Sequence, residues 1–146
     1  LEEINSVSEM TKVEHEAIPR HAGEIGVLLN HEWYRLTLPE SRGSSLVDQL
    51  DVSILQDEIL GPIFEVENPG THKLIDYVPG PLGIDVVKER CQSDSWVGFI
   101  LYPLTIDDLM AVAEAGELMP PKSSYLMPKP RSGVFVRNLE RELNSY

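Results

Sequence analysis

The stretch EIGVLLNHEWYRLTL, residues 24–38, holds two strand-like runs on either side of the polar break NHE. Apolar and β-branched runs around so short a break pair as a β-hairpin. Alternation with period two then places Trp33, Arg35 and Thr37 on one face and Tyr34, Leu36 and Leu38 on the other. The second face is expected to line the core. A lone hairpin is marginal in water, so the remainder of the chain must supply the layer that covers it.

That layer is legible as a series of helices and strands. Ser45 followed by Asp48 has the spacing of a capping box, and Val47, Leu50 and Ile54 with Val52, Leu55 and Ile59 form a broad helical stripe that Gly61 and Pro62 are expected to stop. After the NPG turn at 68–70, KLIDYV has strand composition and leads into PGPLG at 79–83. IDVVKERC reads as a short helix carrying Ile84, Val87 and Cys91 on one side. WVGFILY, residues 96–102, is almost wholly apolar, as expected of a central strand covered on both faces. Thr105 with Asp108 repeats the capping pattern, ahead of a helix whose buried stripe is expected to be Ile106, Leu109, Met110 and Ala113 and whose end lies near Gly116. SSYLM and GVFV are expected to form a last strand pair around PKPRSG. The fold class is therefore α+β: a mixed β-sheet with right-handed crossovers, about three helices and hairpins near both ends. Residues 1–22 lack sustained periodicity and read as a linker or mobile arm, which leaves 23–146 as a single domain.

With 24 acids against 12 Lys and Arg, the net charge of -12 repels a phosphate backbone over most of the surface, so nucleic acid is an unfavourable partner. No run approaches the length of a membrane span, and the single cysteine, Cys91, excludes an internal disulfide and suits a reducing compartment; the expected location is the cytoplasm. The chain begins with leucine rather than methionine, as a piece of a longer protein would.

One segment reverses the global charge. Residues 118–133 contain no acid but include Lys122, Lys129 and Arg131, on a stretch rich in proline. Lysines beside the hydroxyls of Ser123 and Ser124 and free backbone N–H groups can hold a phosphate or carboxylate by charge-assisted hydrogen bonds. Flanking prolines reduce the entropy lost when such a loop is ordered. Prolines stand where a nucleotide-binding loop has glycines, so that motif is absent. The competing reading is that these lysines pair with acids elsewhere and the prolines merely separate helix from strand. Asp76, at a strand end facing PGPLG, is a further ligand candidate against the alternative of an exposed strand residue. His15, His21 and His31 lack helical pairing and nearby cysteines, so no metal site and no cofactor is expected. Ser123 and Ser124 have no evident histidine partner for nucleophilic catalysis; Cys91, Met110, Met119 and Met127 read as packing.

LMAVAEAGELMPPKSSYLMPKPRSGVFV, with QLDVSILQDEIL, KLIDYVPG and WVGFILYP, resembles the C-terminal half of the domain of unknown function family 1015, often labelled SpoOJ/ParA/ParB/RepB-like. The similarity runs from about residue 18 to 139, and the helix followed by MPPKS is its most specific part. The resemblance implies a fragment whose absent N-terminal half carries a Gly-His-His-Arg motif on a fold akin to the ParB, sulfiredoxin and free-serine kinase group. It implies a serine-related context, because genes of the family often neighbour serine-biosynthesis enzymes. On that view the absent half holds the reactive groups and this half is an accessory domain, with Lys122, Ser123, Ser124 and Lys129 binding a phosphorylated small molecule and Asp76 opposite them. The isolated fragment is not expected to be active. Its partners are then the absent half and that metabolite. The alternative is a structural or oligomerisation domain without a ligand site, which packs on the N-terminal half or on a second copy and exposes apolar surface once separated. DNA binding, as the ParB-like label suggests, conflicts with the charge.

Overall fold

A computed structural model describes residues 2–40, 43–92 and 96–125. The expected hairpin is present as β2 (Glu24–Leu29) and β3 (Glu32–Thr37), joined through Asn30 and His31. Both turn residues have positive φ, 50° and 63°, as a tight two-residue hairpin turn requires. Tyr34, Leu36 and Leu38 are buried, so the core face is the expected one. With Ile25 and Val27 they meet Ile54, Leu55 and Ile59 from the helical layer and Ile4 from the N-terminus. The protein is α+β: a four-stranded sheet with a few helices packed on it.

Three features of the sheet differ from expectation. Residues 1–22, expected to be an arm, instead supply helix α1 (Glu2–Val7) and strand β1 (Glu9–Val13), which pairs with β3 from Glu9 opposite Thr37 to Val13 opposite Trp33. β1 is polar because its side chains at this edge are mostly exposed, so no apolar run betrays it. The apolar run at 96–102 forms β4 (Val97–Ile100), which is covered on both faces as expected but occupies the opposite edge of the order β1-β3-β2-β4. All three pairings among the described residues are antiparallel, where a mixed sheet was expected. The expected C-terminal strand pair lies largely outside the described residues, and Ser123, Ser124 and Tyr125 within them form no strand.

The core side of the sheet is covered by one interrupted helix. Ser45 and Asp48 do exchange side-chain to backbone hydrogen bonds, each 3.1 Å, but they close a turn ahead of helix α2 (Asp51–Leu55). The chain then widens into a π-helical segment (Gln56–Leu60), in which the Gly61 N–H reaches back to the Gln56 carbonyl, and continues as α3 (Gly61–Phe64). Pro62, expected to stop the helix, is absorbed instead: an N–H-less residue is tolerated in the first turn after such a widening. The stop comes at Glu65, with φ 55°, where the Val66 N–H bonds the Leu60 carbonyl at 3.0 Å.

The other side of the sheet is covered by residues 16–20 and by α4 (Gly83–Arg90), which follows a 3-10 turn (Gly80–Leu82). Two glycines permit this. A Cβ on Gly26 would lie 1.8 Å from the Ala17 carbonyl oxygen, and one on Gly98 would lie 2.7 Å from Val87 Cγ1 and 3.0 Å from the Cys91 sulfur. Helix α5 (Ile106–Glu114) starts on the expected Thr105 and Asp108 capping box and ends before Gly116, whose φ is 72°. Its buried residue is Val112, whereas Ile106, Met110 and Ala113, expected in the core, face solvent. KLIDYV forms no strand; Leu74 is 76 % exposed and has no layer to pack against.

Candidate functional site

Beyond α5 the chain is tied down by Glu117, whose carboxylate accepts the Val47 N–H at 3.1 Å. Pro120, Pro121, Lys122 and Ser123 then make a β-turn in which the Ser123 N–H donates to the Pro120 carbonyl at 3.3 Å. Proline at the second position and a positive φ of 63° at Lys122 are the marks of a type II turn, whose third residue is usually glycine or asparagine. The two prolines restrict the approach, and the lysine accepts a backbone conformation that costs a Cβ-bearing residue about 1–2 kcal/mol. The Ser123 hydroxyl donates to the same Pro120 carbonyl at 2.7 Å, so it braces the turn and retains only its acceptor lone pairs for other partners. Ser124 is exposed. Lys129 lies outside the described residues.

A second turn abuts the first. Asn68 accepts the Gly70 N–H on its side-chain oxygen at 3.0 Å and the His72 N–H on its carbonyl at 3.0 Å, as the NPG signal implies. A Cβ on Gly70 would come within 3.2 Å of Pro121 Cβ, so the two turns are in contact. The Tyr77 hydroxyl braces the same turn by donating to the Pro69 carbonyl at 2.9 Å, and burial pushes the phenol pKa up. Lys73 follows directly. It was not among the residues singled out from the sequence, although residues 68–75 form a second acid-free stretch around it.

The charge pairing of the chain gives this junction its character. Lys12 pairs with Glu32, Arg20 and Arg35 with Glu24, Lys88 with Glu16 and Asp85, and Arg90 with Asp76. Among the described residues, Lys73 and Lys122 have no carboxylate partner, in a chain with twice as many acids as Lys and Arg. Asp76 is half-exposed and its carboxylate is engaged by the Arg90 guanidinium at the end of α4, so it serves as a tether between the 75–79 segment and that helix.

A second polar cluster is built differently. The Glu24 carboxylate is 4 % exposed and accepts the Arg20 backbone N–H at 3.1 Å and its guanidinium at 2.7 and 3.2 Å, with Arg35 Nε 3.2 Å away. These bonds, Arg20 first, hold the Glu24 pKa below the ordinary value. The cluster pins residues 16–20 to the sheet through Arg20, while buried Arg35 Nε lies beside the carboxylate as an ion pair without forming a hydrogen bond to it. Nearby, the Asp51 carboxylate accepts the Gly23 N–H at 2.8 Å, and burial raises its pKa. Cys91 is buried against Gly98 with its thiol pKa raised by burial, which disfavours the reactive thiolate. Among the described residues no group of His, Cys, Asp and Glu is placed to hold a metal ion, and no helix is long and apolar enough to cross a membrane. The chain matches no family model, no curated protein and no solved structure.

Proposed function

We propose that this chain is an accessory domain of a larger small-molecule enzyme and that the junction of its two turns binds the anionic oxygens of a phosphorylated metabolite. The observation that supports this most is the pair of lysines left without carboxylates, Lys122 on one of two touching turns and Lys73 just beyond the other. A turn with fixed φ limits the backbone entropy lost on engaging a phosphate, leaving the ordering of the lysine stem as the main cost, and exposed Ser124 and the turn backbone can contribute further hydrogen bonds. The resemblance to the family numbered 1015 suggests a serine-related ligand such as phosphoserine, with the reactive groups on another part of the protein. The test is a titration of the chain with inorganic phosphate and phosphoserine, followed through the amide signals of residues 68–73 and 119–125. Lys122→Ala is expected to weaken binding roughly tenfold, the worth of one charge-assisted hydrogen bond. Unchanged affinity in Lys122→Ala and Lys73→Ala alike would dispose of the assignment.

A second reading has its own support. Large apolar side chains on the later part of the chain stand in solvent, Ile106 at 73 % and Leu118 at 88 % exposed among them, as expected of a structural domain that packs on another domain or copy. Light scattering distinguishes this reading: concentration-dependent association that Ile106→Ser with Met110→Ser abolishes supports it, and a monomer at all concentrations removes the self-association form of it.

A further inference from the structure

The side of the sheet opposite the core carries an open groove of about 520 Å³ lined by Glu14, His15, Glu16, Ile18 and Trp33. We propose that it is a binding site for an organic cation with an apolar stem, a guanidinium or alkylammonium group of the kind found on arginine and lysine. The walls are of two kinds. Trp33, directly opposite Val13 in the register, is half-buried, and Ile18 is 56 % exposed, so an indole and an aliphatic side chain remain accessible beside the groove. Glu16 is neutralised by Lys88 at 2.6 Å, whereas Glu14 is exposed and has no cationic partner among the described residues. An anionic ligand is repelled there, and a purely apolar one leaves the carboxylate unanswered. A methylene stem against Ile18 and Trp33 with a cationic head over the indole face and beside Glu14 satisfies both walls; guanidinium groups in particular stack on aromatic rings.

The groove is also held in shape before any ligand arrives. Residues 14–18 run along it, and that segment is fixed at Glu16 by Lys88, at Ala17 by its buried contact with Gly26, and just beyond, at Arg20, by Glu24. Little ordering therefore opposes binding. The ligand has the opposite charge to the one proposed for the lysine turns and uses none of the same residues, so the two sites stand or fall separately.

The experiment uses indole fluorescence in a Trp96→Phe background, which leaves Trp33 as the single tryptophan of the chain. Arginine amide is titrated against citrulline amide, its uncharged isostere, and a short arginine-containing peptide is run in parallel. The expected result is a saturable change with arginine amide, absent with citrulline amide, weakened by added salt, and shifted about 3–10-fold to higher concentration by Glu14→Gln. Tighter saturation by the peptide than by arginine amide assigns the cation to a partner chain, and equal or weaker saturation by the peptide assigns it to a free small molecule. Equal responses to arginine and citrulline amides, or responses to both cationic probes that never saturate, overturn the proposal. Glu14 is exposed, so the Glu14→Gln variant folds whether or not the site exists.

Discussion

The chain divides unevenly at Val66. Among the described residues, it provides up to that point twelve of the fourteen buried apolar side chains, and beyond it only Cys91 and Val112. The exposed large apolar side chains among the described residues are distributed the other way, with nine of twelve between Leu74 and Tyr125. The first region is thus three strands and an interrupted helix closed around one core, whereas the second adds β4 to the edge of that sheet and is otherwise a succession of turns and short helices, attached to the first by the β2–β4 pairing, by Lys88 on Glu16 and by Glu117 on Val47. Global stability therefore rests on the first region together with β4, whose Val97 and Phe99 pack on the same core. The second region keeps both its apolar side chains and two of its lysines available, which is where a binding or docking role has to be sought.

The comparison is broken most directly by matched truncations. Ile59, fully buried in the π-helical segment, is expected to cost about 2–5 kcal/mol on replacement by alanine, from lost transfer free energy and the cavity left behind. Ile106→Ala, the same chemistry at 73 % exposure, is expected to change stability by less than about 0.5 kcal/mol. Denaturant unfolding of both variants measures the difference. Similar losses at the two sites would mean that α5 is part of the cooperative core and that the division at Val66 is wrong.

The Glu24 cluster offers the next largest effect and a dependence on pH. Because Arg20 and Arg35 hold the folded carboxylate below its ordinary value of 4.5, the native state binds fewer protons there than the unfolded chain does. Its stabilising contribution is complete above that ordinary value and is lost as pH falls below it through the folded pKa. Glu24→Gln is expected to cost about 1.5–3 kcal/mol at neutral pH, the range for hydrogen bonds to a charged group. It is also expected to flatten the acid limb of the stability curve below 4.5. An acid limb identical to the parent's would show that other carboxylates carry the acid transition.

Gly26 and Gly98 compare the two coverings of the outer sheet face. A methyl at Gly26 meets backbone, the Ala17 carbonyl, and must displace the 16–20 segment; at Gly98 it meets the side chains of Val87 and Cys91. Gly26→Ala is expected to cost about 1–3 kcal/mol and Gly98→Ala less, because side chains yield more readily than a pinned backbone. Thermal unfolding checks the order. The Gly26 variant also disturbs the Trp33 groove, so a fluorescence change without a stability loss would show the segment moving freely.

How much of this was open to reading follows from where each signal is generated. The hairpin and its core face were legible because alternation over 24–38 is a property of the chain itself, and so was the Thr105 and Asp108 capping box, made by residues three apart; Ser45 and Asp48 form the same reciprocal bonds but close a turn instead of starting the helix. α5 was located correctly and turned wrongly: it carries two apolar arcs, and whether Val112 or the pair Ile106 and Met110 is buried depends on what lies beneath, which no local pattern encodes. β1 was missed because an edge strand with a polar surface has the composition of a linker. At the candidate site, Lys122 stood out through a local lack of acids. Lys73 did not, because its relation to Lys122 comes through the contact of Gly70 with Pro121, 51 residues apart in sequence.

The smallest expected effect separates strain from charge at Lys122. Glycine there removes the cost of a left-handed backbone, about 1–2 kcal/mol, and gives back part of it as extra freedom of the unfolded chain, about 0.4–1 kcal/mol. The net stabilisation is about 0–1.6 kcal/mol, and alanine, which keeps the Cβ, recovers none of it. Both variants lose the ammonium group, so both are expected to lose phosphate affinity equally. Since the turn belongs to the loosely attached region, the gain is best sought as slower hydrogen exchange at the Ser123 amide, which bonds the Pro120 carbonyl across the turn. A Lys122→Gly variant that exchanges faster than Lys122→Ala would mean that the lysine is held at its φ of 63° by contacts beyond the turn, and the turn would then be an imposed conformation rather than one its prolines prepare.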